Sequence, residues 1–206
     1  MKQRTRAKFY DILFGDISNS LEGRIDQLFN TRGQEKLKAA VDNAIKDVKR
    51  IKKKRFTCIW YFEPFPSHRP RANTTAGYVK IYVPLARETK EAFTKFWEEN
   101  YPNTPPIGTP MKFNAKVYVK TPDSYNRLNK ILAELGILRP WGRTGDLDNI
   151  TKTIWDCGIG TMIVDDGLIE EMHCEKFYSI KPRVEYDITY DERFPKGMEP
   201  IKKEDD

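Results

Sequence analysis

The period of the apolar residues first changes near residue 55, from helical to alternating, and that change constrains the fold more than any other feature. From Arg32 to about Arg55, Leu37, Val41, Ala44, Val48 and Ile51 recur at spacings of three and four between charged residues, the period of a helix. The preceding stretch "FYDILFGDISNSLEGRIDQLF" has similar intervals, so residues 1–55 are expected to form a helical extension. Beyond it the pattern shortens to two. Residues 56–62, 78–84 and 111–120 ("FTCIWYF", "YVKIYVP", "MKFNAKVYVK") alternate and predict strands. Between the first two lies "EPFPSHRPRANTTAG", a loop by its prolines and polar residues.

Helical spacing returns at 86–99, through Ala92, Phe93, Phe96 and Trp97, and at about 124–135, where Gly136 suits a left-handed C-terminal cap. A short strand is expected at Met162–Val164, then a polar segment, then a last strand near "RVEYDITY". The tail from 193 is expected to be mobile. Strands and helices mix without regular alternation, so the expected class is α+β, a mainly antiparallel sheet with packed helices plus the N-terminal helical extension. The main domain is expected to span 56–192.

Charge follows the same division. Residues 1–55 carry 15 Lys and Arg against 7 Asp and Glu, a net of +8, whereas 56–206 carry 21 against 23, a net of −2. That asymmetry points to a polyanionic partner. The basic run "KRIKKKR" fits equally a solvated helix face or a nucleic-acid contact. Cys58, Cys157 and Cys174 form no C-x-x-C pair and fit free thiols in a reducing compartment. The first residues lack a signal peptide's apolar core and no apolar run reaches transmembrane length, so the expected location is the cytoplasm.

Negative charge is concentrated in "RTGDLDNITK" and "MIVDDGLIEE". A helix starting near Asp146 places Leu147, Ile150 and Ile154 on one face and Asp148, Lys152 and Asp156 on another, with Gly158 at its end. Asp146 then stands at the helix start. Adjacent residues of an extended chain face opposite ways, so at most one of Asp165 and Asp166 can join Asp146 and Asp148. Three converging carboxylates repel unless hydrogen bonds, a proton or a cation relieve them. An oxygen-only set suits Mg²⁺ or Mn²⁺, the ions of phosphate chemistry. Plainer roles stay open: Asp146 as a helix cap, Asp148 with Lys152 as a surface ion pair, and "DDG" as a turn.

These residues resemble a known signature. "GDLDNITKTIWDCGIGTMIVDDGLI" is similar to the D-x-D-N-x-x-K motif, with later aspartates, of the RusA family of crossover junction endodeoxyribonucleases of bacteria and their phages. It reads Asp146, Asp148, Asn149, Lys152, Asp156, Asp165 and Asp166, and "SHRPRAN" resembles the family's Pro/Arg-rich loop. Cys157 and Gly158 replace the usual alanine and leucine, and residues 1–55 have no counterpart in short members. The resemblance covers about 56–192. It implies a RusA-like fold and a homodimer that resolves Holliday junctions or branched DNA by paired phosphodiester hydrolysis with Mg²⁺ or Mn²⁺. Asp146, Asp148 and Asp166 would be metal ligands and Lys152 the catalytic lysine.

His68, Arg69 and Arg71, on a proline-stiffened loop, would contact DNA phosphates. Asp156 fits a structural role or the orientation of Lys152. The alternative is a non-catalytic DNA-binding phage protein that retains the fold. No convincing PD-(D/E)xK element stands in the acidic segment. His173 and Cys174 lack a second Cys/His cluster for zinc. Trp60, Trp97, Trp141 and Trp155 are expected in the core rather than as base-stacking platforms.

Overall fold

A computed structural model describes residues 35–65, 71–75, 78–82, 86–141 and 145–199. The chain divides into two compact units, Lys52–Arg193 and Met1–Ile51 with Phe194–Asp206. In the second of these the described helix is α1, Glu35–Arg50. Its Asp47 carboxylate accepts a hydrogen bond from the Lys196 amide at 3.0 Å.

The helix stops five residues before the expected Arg55. Lys53–Arg55 instead open strand β1, Lys53–Trp60. The cause is complementary charge on the last strand, β6, Arg183–Asp191. Arg55 donates from two nitrogens to the Asp187 carboxylate, at 2.7 and 2.9 Å. Lys53 pairs with Asp191, and Lys54 with Glu192 at 3.3 Å. Opposite charges across neighbouring strands favour that pairing over a longer helix. This part of the basic run is therefore a row of ion pairs.

The larger unit is α+β. Its main sheet has the order β1-β6-β4-β5, with β4 at Met111–Lys120 and β5 at Ile169–Ser179. Strand β6 is antiparallel to both β1 and β4, and β4 runs parallel to β5. A separate antiparallel hairpin pairs β2, Arg71–Thr75, with β3, Tyr78–Tyr82. The chain from 71 to 75 was expected to be loop.

Alternation in β4 decides which face is covered. Met111, Phe113, Ala115, Val117 and Val119 are buried, while the residues between them are exposed or half-buried. Val184, Tyr186 and Ile188 of β6 lie opposite Val117, Ala115 and Phe113 and are buried with them. Helices α2, Ala86–Asn100, and α4, Leu147–Gly158, pack against each other and contribute Phe93, Trp97, Ile150, Ile154 and Cys157 to that core. Each such large side chain contributes roughly 1.5–3 kcal/mol on burial. The other face carries Lys112 paired with Glu171, and Tyr118 stacked on Phe177 with ring centroids 5.2 Å apart.

Helix α3, Arg127–Glu134, begins later than the expected 124 because Asn126 caps it, accepting from the Asn129 amide at 2.8 Å. Gly136 has the expected left-handed φ of 71°. Met162–Val164 is not a strand. Ile163 makes single bridges to Ile107 and Ile159, and Met162 and Ile163 are fully buried, so this apolar run records a buried crossing. The expected polar segment contains β5 instead, an edge strand whose first half is exposed on both faces. Among the described residues no helix is long and apolar enough to cross a membrane.

Candidate active site on helix α4

Helix α4 is built as its spacing requires. Ile150, Ile154 and Cys157 are buried in the core, and Asp148, Lys152 and Asp156 form an exposed stripe, one turn apart. At about 1.5 Å per residue the stripe runs roughly 12 Å along the helix. Asp146 occupies the N-cap with extended backbone, yet its carboxylate makes no cap hydrogen bond. The plainer explanation of that residue therefore loses its main support. Its carbonyl accepts the Ile150 amide at 3.1 Å, the first bond of the helix.

Asp165 and Asp166 have separate roles. The Asp165 side chain accepts from the Gly167 amide at 2.7 Å and caps a single 3₁₀ turn, Asp166–Leu168. Asp166 is exposed and within electrostatic reach of Asp156. Although Asp156 is exposed as a whole residue, its carboxyl is partly desolvated against the protein, which pushes it above the usual range, and Asp166 adds to that. Lys152, and Lys90 from α2, act in the opposite direction. Asp166 is thus coupled to the later part of the acidic stripe, with Asp146 at its start.

At the start of the helix stands a residue the sequence did not single out. Lys176 of β5 is half-buried, and its Nζ donates to the Gly145 carbonyl at 2.6 Å. Burial lowers its ammonium below the usual lysine range, while the Asp146 carboxylate acts to raise it. The available signal was alternation: Cys174, Lys176 and Tyr178 lie opposite the buried Ala115, Val117 and Val119.

Among the described residues no three His, Cys, Asp or Glu side chains are gathered so as to hold a metal ion. Asp146 and Asp148 nonetheless present oxygen donors two residues apart on an exposed surface, the donor chemistry of Mg²⁺ or Mn²⁺. His68 and Arg69 lie outside the described residues. Arg71 begins β2 opposite Tyr82, and its side chain is likewise outside them.

His173 is exposed and lines the open face of the sheet with Asn114 and Glu175, whereas the neighbouring Cys174 faces the core. Their opposite directions oppose a shared ion. Trp60 and Trp97 are buried and Trp155 is half-buried, as expected of core residues, but Trp141 is 81% exposed. It lies five residues before Asp146, on the chain entering the site.

Two comparisons with known proteins bear on this segment. The family described as Endodeoxyribonuclease RusA matches residues 61–189. A relative, Uncharacterized protein YqaN of Bacillus subtilis (strain 168), is 32% identical over 128 residues, which is 61% of this chain and 89% of that protein.

Proposed function

The chain belongs to the RusA family of endodeoxyribonucleases, and from that premise we propose that it is a metal-dependent, structure-selective nuclease resolving Holliday junctions or branched DNA as a homodimer. The observation that carries the proposal is the uncapped Asp146 carboxylate at the head of the exposed Asp148–Lys152–Asp156 stripe. A carboxylate placed at a helix start without capping it is available to a ligand.

Asp146, Asp148 and Asp166 would hold Mg²⁺ or Mn²⁺. When bound, such an ion polarises a phosphate oxygen and lowers the pKa of water. Lys152 is exposed beside these carboxylates and offers an ammonium to the charge that builds on phosphate during hydrolysis. His68, Arg69 and Arg71 contact the DNA backbone and position the duplex arms. Trp141 presents an open ring on which an unstacked base can rest. The segment ahead of β1 extends the nuclease domain; residues 1–52 carry 12 Lys and Arg against 7 Asp and Glu, a net of +5, which adds salt-sensitive attraction to DNA, whereas Lys53–Arg55 are engaged in ion pairs of the sheet. The protein acts in the bacterial cytoplasm, encoded by the cell or a phage.

A second copy has a surface to meet. Leu128, Ile131 and Leu135 are exposed along one side of α3, joined by Ile180, while only Ala133 of that helix is buried. Exposed apolar patches rimmed by charge, here Arg127, Lys130 and Glu134, mark association sites. A patch carrying both charge signs can pair with itself across a two-fold axis, which matches paired cuts in a symmetric junction.

Incubation with a synthetic four-way junction and a matched linear duplex, with and without Mg²⁺ or Mn²⁺, tests the activity. Symmetric metal-dependent nicks confined to the junction are expected. Asp146→Asn and Asp166→Asn should abolish cleavage and preserve junction binding. If both variants cut as fast as the parent, the site is misassigned. Junction binding without product under either metal would favour the non-catalytic DNA-binding alternative.

A further inference from the structure

We propose that Lys176 is a positioning residue for the acidic site, clamping the turn that presents Asp146; this rests on the nuclease function proposed above. Lys176 lies on β5 opposite Val117, a fully buried residue of β4, on the face of the sheet that the helices cover. A lysine is seldom placed there, because burial disfavours its charge. From there its Nζ reaches Gly145, thirty-one residues away in the chain.

Gly145 gives that contact its importance. It has φ 85°, a left-handed conformation open to glycine at little cost, and it directly precedes Asp146. Glycine is also the residue least able to hold a chosen conformation by itself. Asp146 contributes no side-chain cap to fix the start of α4. The charge-assisted bond from Lys176 ties this turn to the sheet. It also places a cation near the Asp146 carboxylate, as Lys152 does for Asp156 further along. Ligand atoms displaced by as little as about 1 Å can slow a reaction on the order of a hundredfold. A device of this kind acts on turnover and leaves binding of the junction arms alone.

The test compares the full-length parent with Lys176→Met, which keeps the stem and loses the donor, and Lys176→Arg, which keeps charge and donor. The Ile150 amide, the first in α4 with a helical partner, reports the clamp by NMR-detected hydrogen exchange. Lys176→Met should exchange there about tenfold faster, with β6 amides and melting temperature unchanged. Its kcat on the junction should fall about tenfold or more with KM within about twofold. Isothermal titration with Mn²⁺ should show weaker uptake. Lys176→Arg should restore exchange and kcat to within about threefold of the parent.

Unchanged exchange at Ile150, or faster exchange spread over the whole 52–193 unit, overturns the clamp. So does a kcat equal to the parent's. Should the parent itself neither cut the junction nor take up Mn²⁺, the nuclease proposal fails, and the exchange contrast still decides whether Lys176 holds the turn.

Discussion

Replacing Lys152 with methionine separates two roles that predict effects of different size. Lys152 is exposed on α4, one turn after Asp148 and one turn before Asp156. If it only pairs with those carboxylates, each i,i+4 contact contributes about 0.3–0.5 kcal/mol, and the pair together at most about 1 kcal/mol. That corresponds to a fall of roughly 2–4 °C in melting temperature for a unit of this size. If Lys152 meets charge developing on phosphate, its removal should slow the chemical step by about 10²–10³, or roughly 2.7–4 kcal/mol.

Urea unfolding and single-turnover cleavage of a four-way junction measure the two quantities on the same preparation. The expected result is a stability loss below about 1 kcal/mol beside a rate loss above about a hundredfold. A rate loss of no more than about threefold, roughly 0.65 kcal/mol, would refute a role in the reaction. The pH dependence supplies an independent sign. Burial already raises the Asp156 carboxyl, and Lys152 opposes that rise. A carboxyl raised in the folded state favours folding when protonated, and the benefit is lost as pH rises through the folded pKa. Without Lys152 the folded pKa moves further up. The variant's stability deficit should therefore be present at pH 7 and shrink as the solution is acidified through that pKa.

Ile154 is fully buried beneath the acidic stripe, so Ile154→Ala should cost about 2–5 kcal/mol in urea unfolding, and a cost under about 1 kcal/mol would show that the core beneath α4 is misplaced. Burial raises the thiols of Cys58 and Cys157 to about 12; both should resist a thiol reagent at pH 8 until guanidinium is added, and stability should decline as pH climbs above about 9, because only the unfolded chain releases those protons readily. Gly136→Ala should destabilise by about 1–2 kcal/mol from its left-handed φ, since the nearest atom to an added Cβ, in Phe177, stands at an ordinary 3.6 Å. The pairing proposed for α3 predicts that the parent sediments as a dimer and Ile131→Glu as a monomer with its helix content intact; a monomeric parent or an unchanged variant would remove α3 as the interface.

Why the faces of a helix could be read and the meeting of separate elements could not is visible in particular residues. Spacing within one element is a local property, and it placed Ile150 and Ile154 inward and Asp148, Lys152 and Asp156 outward before any fold was known. The strand at 111–120 was equally clear because one of its faces is wholly buried and the other is not. Legibility ended where a neighbour supplied the reason. Lys53–Arg55 carry no strand signal of their own, and become strand because Asp187, Asp191 and Glu192 lie alongside.

The residues of β5 look polar because an edge strand half open on both faces shows little contrast between them. Failure to recognise that strand concealed Lys176, whose part depends on a β4 partner and on a turn thirty-one residues back. The acidic segment shows the same limit from the other side. Its oxygen donors suit Mg²⁺ or Mn²⁺, but among the described residues no three of them are gathered, and the contact shown for Asp166 is electrostatic, with Asp156. The 3₁₀ turn after Asp165 is held by the Gly167 amide donating to the Asp165 carboxylate and by backbone bonds from the Leu168 amide to the Asp165 carbonyl and from the Ile169 amide to the Asp166 carbonyl. A cation held by carboxylates on both elements would gain affinity from any shift that closes their separation. The Asp165 cap is the contact that such a shift would have to strain, so the paired aspartates divide: Asp165 fixes the turn, and Asp166 is left exposed, where the proposed site needs it.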